Sequence, residues 1–122
     1  MVVMCSQRTE YGCYVPRDSP CSSHNITCDD QTRIFIEDLF YGSNPSITKC
    51  PAIRDKYDCR SNPCCSPGTG DTPIASTRQD SLLVHKACAL QQSCAVTPQY
   101  RSNTGYHYCG YRYWCMEGKS AV

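Results

Sequence analysis

Cysteine is the residue type with the most chemistry to offer in this chain, because 12 of the 122 residues are cysteines. Thiolates either bind metals such as zinc or pair as disulfides. Structural zinc sites usually draw their ligands from close pairs of the form C-x-x-C, and this sequence has only the neighbours Cys64 and Cys65. The even count permits complete pairing. The sequence therefore predicts a disulfide scaffold formed in an oxidising compartment, with no metal and no cofactor.

Residues that could act as general acids, bases or nucleophiles do not form a catalytic pattern. Glu37 and Asp38 are adjacent carboxylates, but consecutive residues of a strand point to opposite faces, so we expect no catalytic pair there. His24 and His85 have no acid or nucleophile partner in the sequence. Neither a glycine-rich phosphate loop nor a nucleophile elbow is present. The sequence therefore predicts a protein that is not an enzyme.

The chain also carries features of an extracellular protein. Asn25-Ile26-Thr27 is a glycosylation sequon, which predicts a glycoprotein with a glycan on Asn25. The formal net charge is +1 without a run of Lys or Arg, which disfavours nucleic acid and anionic membranes as partners. No apolar stretch approaches the roughly 20 residues that span a bilayer. We expect a secreted or extracellular chain without a membrane span, processed or part of a larger extracellular protein.

The residues named above must be positioned mainly by strands. The run "TRIFIEDLFYG", residues 32–42, has β-branched and aromatic residues at strand spacing and ends at a turn. A second strand is predicted in "YHYCGYRYWC", residues 106–115. Its alternation assigns residues to one face (Cys109, Tyr111, Tyr113 and Cys115) and to the other (Tyr108, Arg112 and Trp114).

The remaining segments are less regular. "DSLLVHKACALQQSCAV", residues 80–96, fits either a helix capped by Asp80 or a buried strand followed by a helical turn between Cys88 and Cys94. Residues 59–80 are rich in Pro, Gly, Ser and Asn and predict a loop stapled by its cysteines. Residues 1–20 lack an apolar period and predict a cysteine-containing extension, and residues 116–122 predict a tail.

Several ordered spacings in the chain resemble those of one known family. Cys28 is followed by Ile34 and Ile36, then by Tyr41-Gly42 and Cys50. "VHKACALQQSCAV" and the closing Tyr108, Tyr113 and Cys115 continue the pattern. In this order they resemble the galactose/rhamnose-binding lectin domain first known from a sea urchin egg lectin (SUEL type), which also occurs in latrophilin-type adhesion receptors. The resemblance covers residues 21–115. It implies a mainly β fold with short helices, as a disulfide-rich antiparallel β-sandwich.

The resemblance also implies a set of disulfides. Carried over by position, the family's bridges are Cys21–Cys50, Cys28–Cys115 and Cys88–Cys94. The fourth family bridge needs a cysteine from an Asp-Pro-Cys motif that this sequence lacks, and Cys109 is the nearest substitute. The partner of Cys109 would be one of Cys59, Cys64 and Cys65. The pairing of Cys5, Cys13 and the two loop cysteines left over stays open.

A sugar site around the turn at Tyr41-Gly42 is the functional implication of the resemblance. An aromatic face suits the apolar face of a galactose-like ring, and Gly permits close approach of the backbone to a ligand. Most of the family's charged contacts are replaced here, since Ser22 stands for the acid, Ser43 for the Arg and His107 for the Lys. The remaining candidates for ligand contact are Tyr41, Gly42, Asn103, Tyr106 and His107.

The function implied by the resemblance is extracellular carbohydrate binding of the galactose/rhamnose type, in recognition or cell adhesion. Its partners would be cell-surface or extracellular glycans. Charged groups make stronger hydrogen bonds to sugar hydroxyls than neutral groups do, and most of those groups are missing. The alternative is therefore a non-catalytic structural or protein–protein interaction module on the same scaffold. In that case the partner would be another extracellular protein.

Overall fold

The computed structural model of the chain describes residues 5–47 and 49–117. Within them the chain is mainly β with short helices and a disulfide-rich interior, which confirms this part of the expected fold class. The elements in chain order are β1 (Cys5–Cys13), β2 (His24–Thr27), β3 (Thr32–Gly42), α1 (Asp58–Ser61), a 3₁₀ turn (Pro63–Cys65), β4 (Ile74–Ala75), α2 (Arg78–Cys88), β5 (Ser93–Val96) and β6 (Tyr108–Glu117).

The main sheet has four strands in the order β1-β6-β3-β4, and β2 pairs with β5 in a second sheet. Strand β1 is antiparallel to β6 along its whole length, from Cys5 opposite Met116 to Cys13 opposite Tyr108. Residues 5–13, which the sequence assigns to an extension, therefore form an edge strand of the main sheet. The sequence pattern does not reveal this strand, because most of its side chains are exposed and backbone hydrogen bonds provide the pairing.

The two central strands alternate between a buried inner face and an outer face. On β6 the inner residues are all buried, as the alternation predicts (Cys109, Tyr111, Tyr113 and Cys115). They lie opposite the inner residues of β3, which are Ile34, Ile36, Leu39 and Tyr41. The outer face, on the other side of the sheet, carries the Phe35–Trp114 pair, the Phe40–Gly110 pair and Tyr108. This alternation fixes which tyrosines lie in the core.

A shift of register between Ile36 and Asp38 interrupts the ladder between β3 and β6. The extra residue, Glu37, accepts a hydrogen bond from Gln7 at 2.5 Å, and Asp38 lies 3.5 Å from the Arg112 guanidinium. Because Gln7 and Arg112 both belong to the outer face, the bulge brings both carboxylates to that face. The expectation that they point to opposite faces is therefore wrong. Each carboxylate contacts its own polar partner.

The inner face is covered by α2 and by the β2–β5 pair, which together close the hydrophobic core. Helix α2 contributes Val84 and Cys88, and the pair contributes Ile26 and Val96. Of the two readings left open for residues 80–96, the helix is the one found at Arg78–Cys88. Its N-cap is Thr77, whose hydroxyl accepts a hydrogen bond from the Asp80 N–H at 3.2 Å, so Asp80 lies inside the first turn.

Five disulfides link the strands to the connecting segments. Cys28–Cys115 and Cys88–Cys94 are present as the resemblance implies. The implied Cys21–Cys50 bond is corrected, because Cys21 pairs with Cys59 and Cys50 pairs with Cys64. The fifth bond joins Cys13 to Cys65. The reason is that the segment at 59–65 packs against β1, which brings Cys65 to Cys13, while Cys59 and Cys64 pair with Cys21 and Cys50.

Cys109 forms no disulfide, which corrects the expectation that it pairs with a loop cysteine. Its side chain lies on the inner face of the sheet and is fully buried, opposite Tyr41 on β3 and Gly12 on β1. Cys59 and Cys65 belong to a different hydrophobic cluster, and all three loop cysteines are bonded to other partners. Cys5 is the other free cysteine, and it is exposed.

Over residues 5–47 and 49–117, the helices are too short and too polar to cross a lipid bilayer.

Candidate functional site

Four tyrosines from distant parts of the chain meet at one end of the main sheet. The rings of Tyr41 and Tyr106 are stacked, with centroids 5.0 Å apart and planes inclined by 6°. Tyr14 packs edge-on against both, at 5.4 Å from Tyr41 and 5.6 Å from Tyr106. Tyr100 lies 5.0 Å from Tyr14 and is 37% exposed. Contacts of this kind each stabilise by roughly 0.5–1.5 kcal/mol, so the cluster is a rigid aromatic surface.

Tyr41 is the innermost member of this cluster and is only 4% exposed. Its hydroxyl donates to Asp80 Oδ2 at 2.7 Å. Burial, and then the bond and the charge of Asp80, raise the pKa of this phenol well above its usual range. Because Tyr106 covers its face, Tyr41 does not offer that face to a ligand in this conformation. Its role in the cluster is to support Tyr106 from below.

Gly42 has a structural requirement that does not involve a ligand. It lies opposite Tyr108 in the ladder, and a Cβ at this position would overlap the Tyr108 ring. The Tyr108 hydroxyl in turn donates to Asp71 Oδ2 at 2.6 Å, which ties the loop after the 3₁₀ turn to the sheet. Glycine is therefore needed here for packing of the outer face.

Tyr106 and His107 are half-buried and are held by the backbone of both neighbouring segments. The His107 N–H donates to the Gly42 carbonyl at 2.8 Å, and the His107 carbonyl accepts from the Tyr14 N–H at 2.8 Å. The Asn44 N–H donates to His107 Nδ1 at 3.3 Å, which assigns the proton of the neutral imidazole to Nε2. His107 therefore presents an N–H donor on a fixed backbone.

Tyr106 and His107 line a concave surface, here called the Tyr106 cleft, which encloses a volume of about 340 Å³. The part of the wall formed by the tyrosine cluster and its neighbour is Tyr14, Tyr100, Tyr106 and His107. The other lining residues are Val15, Pro16, Ser19, Pro51, Ile53, Asn62 and three disulfide-bonded cysteines, Cys50, Cys64 and Cys65. The volume lies at the low end of the range for ligand sites, and most of the lining is apolar with a few polar groups.

A second concave surface of about 510 Å³ adjoins the first, here called the Arg17 cavity. It shares Pro16 and Tyr100 with the Tyr106 cleft. Its other lining residues are Arg17, Leu83, Thr97, Pro98 and Gln99. Tyr100 therefore belongs to the lining of both concave surfaces.

Of the expected site residues, Tyr106 and His107 line the Tyr106 cleft, and Tyr41 and Gly42 lie behind it. Asn103 is exposed in the loop before β6 and does not line either concave surface. Sequence reasoning missed Tyr14 and Tyr100, which come from the segment after β1 and the segment after β5. The available signal was weak: each is an aromatic residue within two positions of a proline, outside any periodic segment.

The Tyr106 cleft also contains a cluster of potential metal ligands, formed by Cys50, Cys64 and His107. Their ligand atoms lie within 4.8 Å of one another. The two sulfur atoms are joined in a disulfide and are not thiolates, so only the imidazole remains as a ligand. One ligand does not make a metal site.

Behind the tyrosine cluster, His24 takes part in a buried hydrogen-bond network. Its Nδ1 lies 2.5 Å from the Tyr111 hydroxyl, and its Nε2 lies 2.9 Å from the Cys13 carbonyl oxygen. Because a carbonyl can only accept, Nε2 carries the proton and Nδ1 accepts from Tyr111. Burial lowers the pKa of His24 and raises the pKa of the Cys109 thiol, which contacts Tyr111. These groups support the sheet and do not reach the cleft.

Asn25 is exposed on β2, with its neighbours His24 and Ile26 directed into the protein. Thr27 is exposed on the same side, two residues along the strand. Both polar side chains of the sequon therefore face outward, and a glycan on Asn25 would not disturb the core.

Comparison with family models, with curated proteins and with solved structures finds no match to this chain.

Proposed function

We propose that this chain is an extracellular carbohydrate-binding module of the galactose/rhamnose type, acting in recognition or adhesion, and that the Tyr106 cleft is its sugar site. The observation that carries the proposal is the combination of two tyrosine rings at a concave surface, Tyr100 and Tyr106, with the N–H donor of His107. The scaffold would be a disulfide-rich antiparallel β-sandwich of the SUEL type.

The chemistry of a hexose suits this arrangement. One side of a galactose-like ring is apolar, and its C–H groups pack against an aromatic face, while the hydroxyls on its rim need directed hydrogen bonds. The tyrosine rings supply the face, and His107 Nε2 supplies a donor whose backbone is fixed on both sides. Because Tyr41 stacks beneath Tyr106, the face is held in place before a ligand arrives. Preorganisation of this kind raises affinity by lowering the entropic cost of binding.

The disulfides support the proposed location. Five bonds in a chain of 122 residues indicate folding in an oxidising compartment. Three of them hold the segment at 59–65, from which Asn62, Cys64 and Cys65 line the Tyr106 cleft. The same bonds that stabilise the fold therefore shape the proposed site.

The direct test is a glycan array probed with the oxidised protein, with galactose and rhamnose ligands included. We expect binding to a subset of glycans. The variant Tyr106→Ala should bind them with an affinity about 2- to 10-fold lower, because one aromatic contact contributes roughly 0.5–1.5 kcal/mol beyond area burial. Tyr57→Ala is the matched control, since Tyr57 is 86% exposed and does not line the cleft. An array without signal, or equal losses in both variants, would contradict the proposal.

The outer face of the main sheet favours protein binding as a second candidate function. Tyr11 and Phe35 are 38% and 39% exposed there, and aromatic residues are enriched at protein interfaces. A stoichiometric extracellular protein partner, retained by the natural chain and lost in Phe35→Thr, would support this function. Binding of simple sugars by a monomer that retains no partner would count against it.

A further inference from the structure

We infer that the sugar site has a second subsite, the Arg17 cavity, which takes a negatively charged sugar unit, so that the ligand is an acidic oligosaccharide. The inference rests on the proposed function and names the ligand class of the same site. It follows from Tyr100, which lines both concave surfaces, from the chemistry of their linings, and from the guanidinium of Arg17, which has no ion-pair partner within residues 5–47 and 49–117.

The first argument is geometric. The Tyr106 cleft and the Arg17 cavity have volumes of about 340 and 510 Å³ and share Pro16 and Tyr100. A sugar unit in either part would therefore lie beside Tyr100. Since Pro16 has a fixed φ and borders both surfaces, the rim between them is stiff. The joint surface is therefore larger than either part alone, which suits a ligand of linked sugar units.

The second argument concerns hydrogen-bond donors and acceptors. The lining of the two concave surfaces includes one Arg and one His but no Asp or Glu. A neutral sugar carries many hydroxyl donors, which carboxylate acceptors satisfy best. The charged or fixed donors of this site, Arg17 and His107 Nε2, instead suit a ligand that brings its own strong acceptors. A carboxylate or a sulfate ester provides them.

Asp80 is the carboxylate that contacts the tyrosine cluster, and it is not available to a ligand. It is 6% exposed, accepts from the Tyr41 hydroxyl at 2.7 Å, and lies 3.4 Å from Arg101 Nη1. Arg101 also donates to Gln99 Oε1 at 3.2 Å. A second cation, Arg101, therefore contacts Gln99 of the cavity lining, with its charge partly compensated by Asp80.

Arg17 is the residue that would bind the negatively charged group of the ligand. It is exposed, and among residues 5–47 and 49–117 it has no ion-pair partner. Its neighbour Asp18 is exposed but does not line the cavity. A guanidinium offers a planar pair of N–H groups that matches the oxygens of a carboxylate or sulfate. The Arg17 side chain is therefore free to bind an anionic group at the edge of the Arg17 cavity.

The test uses the full oxidised protein and three disaccharides of one linkage: a galactose–uronic acid unit, the same unit with a sulfate ester in place of the carboxylate, and the neutral parent. Titration calorimetry should show tighter binding of one or both acidic forms. Arg17→Gln should weaken the acidic forms by about 5- to 10-fold and leave the neutral form unchanged. Lys56→Gln, which removes one exposed cation that lines neither surface, should change nothing.

The outcomes separate the inference from the function on which it rests. If the neutral parent binds as well as both acidic forms, and Arg17→Gln has no effect, the second subsite is wrong and the sugar site stands. If no sugar of either kind binds, the proposed function is wrong and the inference falls with it. The preferred acidic form identifies the anionic group, because the two arms differ only in carboxylate against sulfate.

Discussion

Removal of the Cys28–Cys115 bond should destabilise this chain far more than removal of Cys88–Cys94. The two bonds close loops with sequence separations of 87 and 6 residues. In the chain-entropy model, the long loop contributes about 4.6 kcal/mol at 25 °C and the short one about 2.3 kcal/mol. The first bond also links Cys115 near the end of β6 to Cys28 in the segment between β2 and β3. Its loss therefore removes the covalent link between these two parts of the core.

Two double variants, Cys28→Ala with Cys115→Ala and Cys88→Ala with Cys94→Ala, put the difference to the test by thermal unfolding followed by circular dichroism. With about 4 °C of Tm per kcal/mol for a domain of this size, we expect losses of about 18 °C and about 9 °C. Cys109→Ala is the control for lost packing, because Cys109 is buried and unpaired. Because each double variant removes two sulfur atoms, twice the Tm loss of Cys109→Ala is subtracted from the Tm loss of each double variant.

The reasoning would be refuted if the two corrected losses were equal, or if the short bond proved the more important. Equal losses would mean that the unfolded chain is already constrained to a similar extent in both variants, by the other bonds or by residual structure. A loss in Cys109→Ala as large as in the double variants would mean that packing of the sulfur atoms, and not cross-linking, dominates.

Three further predictions concern buried polar groups and thiols. Burial lowers the pKa of His24 from its usual value of 6.5, so the unfolded chain takes up the proton first as the pH falls. The free energy of unfolding should therefore decrease below pH 6.5, by at most about 1.4 kcal/mol per pH unit, until the folded-state pKa is reached; denaturation between pH 7.5 and 5 measures this. Alkylation of the native protein with iodoacetamide should modify Cys5 and spare Cys109, because the first thiol is exposed and the second is buried; peptide mass spectrometry locates the label. Tyr41→Phe should cost about 1–3 kcal/mol in urea denaturation, because it removes a hydrogen-bond donor from the buried Asp80.

Each of these three has a contrary result. An unfolding free energy that follows the same pH curve in His24→Gln as in the natural chain would remove His24 as the source of the effect. Rapid labelling of Cys109 without denaturant would mean that β6 opens readily. A Tyr41→Phe variant no less stable than Tyr11→Phe, whose ring is partly exposed, would mean that Asp80 is satisfied without the Tyr41 hydroxyl.

The central strands could be predicted from the sequence because their side chains alternate between two environments. The face assignment of β6 is confirmed by burial of Cys109, Tyr111, Tyr113 and Cys115, although Tyr108 on the outer face is buried as well. Strand β1 was not predictable in this way. Its residues have no apolar alternation, since the inner face near Arg8 and Glu10 is polar, and pairing with β6 depends on backbone groups that every sequence has.

The candidate site was predictable only in part, because its residues come together through the fold. Tyr106 and His107 were identified through the family resemblance, in which His107 stands for the family's Lys, and both line the Tyr106 cleft. Tyr14 and Tyr100 could not be placed, because their meeting depends on the path of two irregular segments. The disulfide partners of the cysteines at 59–65 could not be predicted either, since cysteine spacing alone leaves many connectivities open.

The adjacent cysteines Cys64 and Cys65 pair with Cys50 and with Cys13, in two different parts of the chain. During oxidative folding, a thiolate at either position can attack the bond of its neighbour, and an isomer with exchanged partners requires little movement of the backbone. Refolding of the reduced chain should therefore pass through a population of near-native isomers, and reshuffling between them takes seconds to hours without an isomerase. The need for disulfide reshuffling during folding therefore follows from the 3₁₀ turn that places Cys64 beside Cys65.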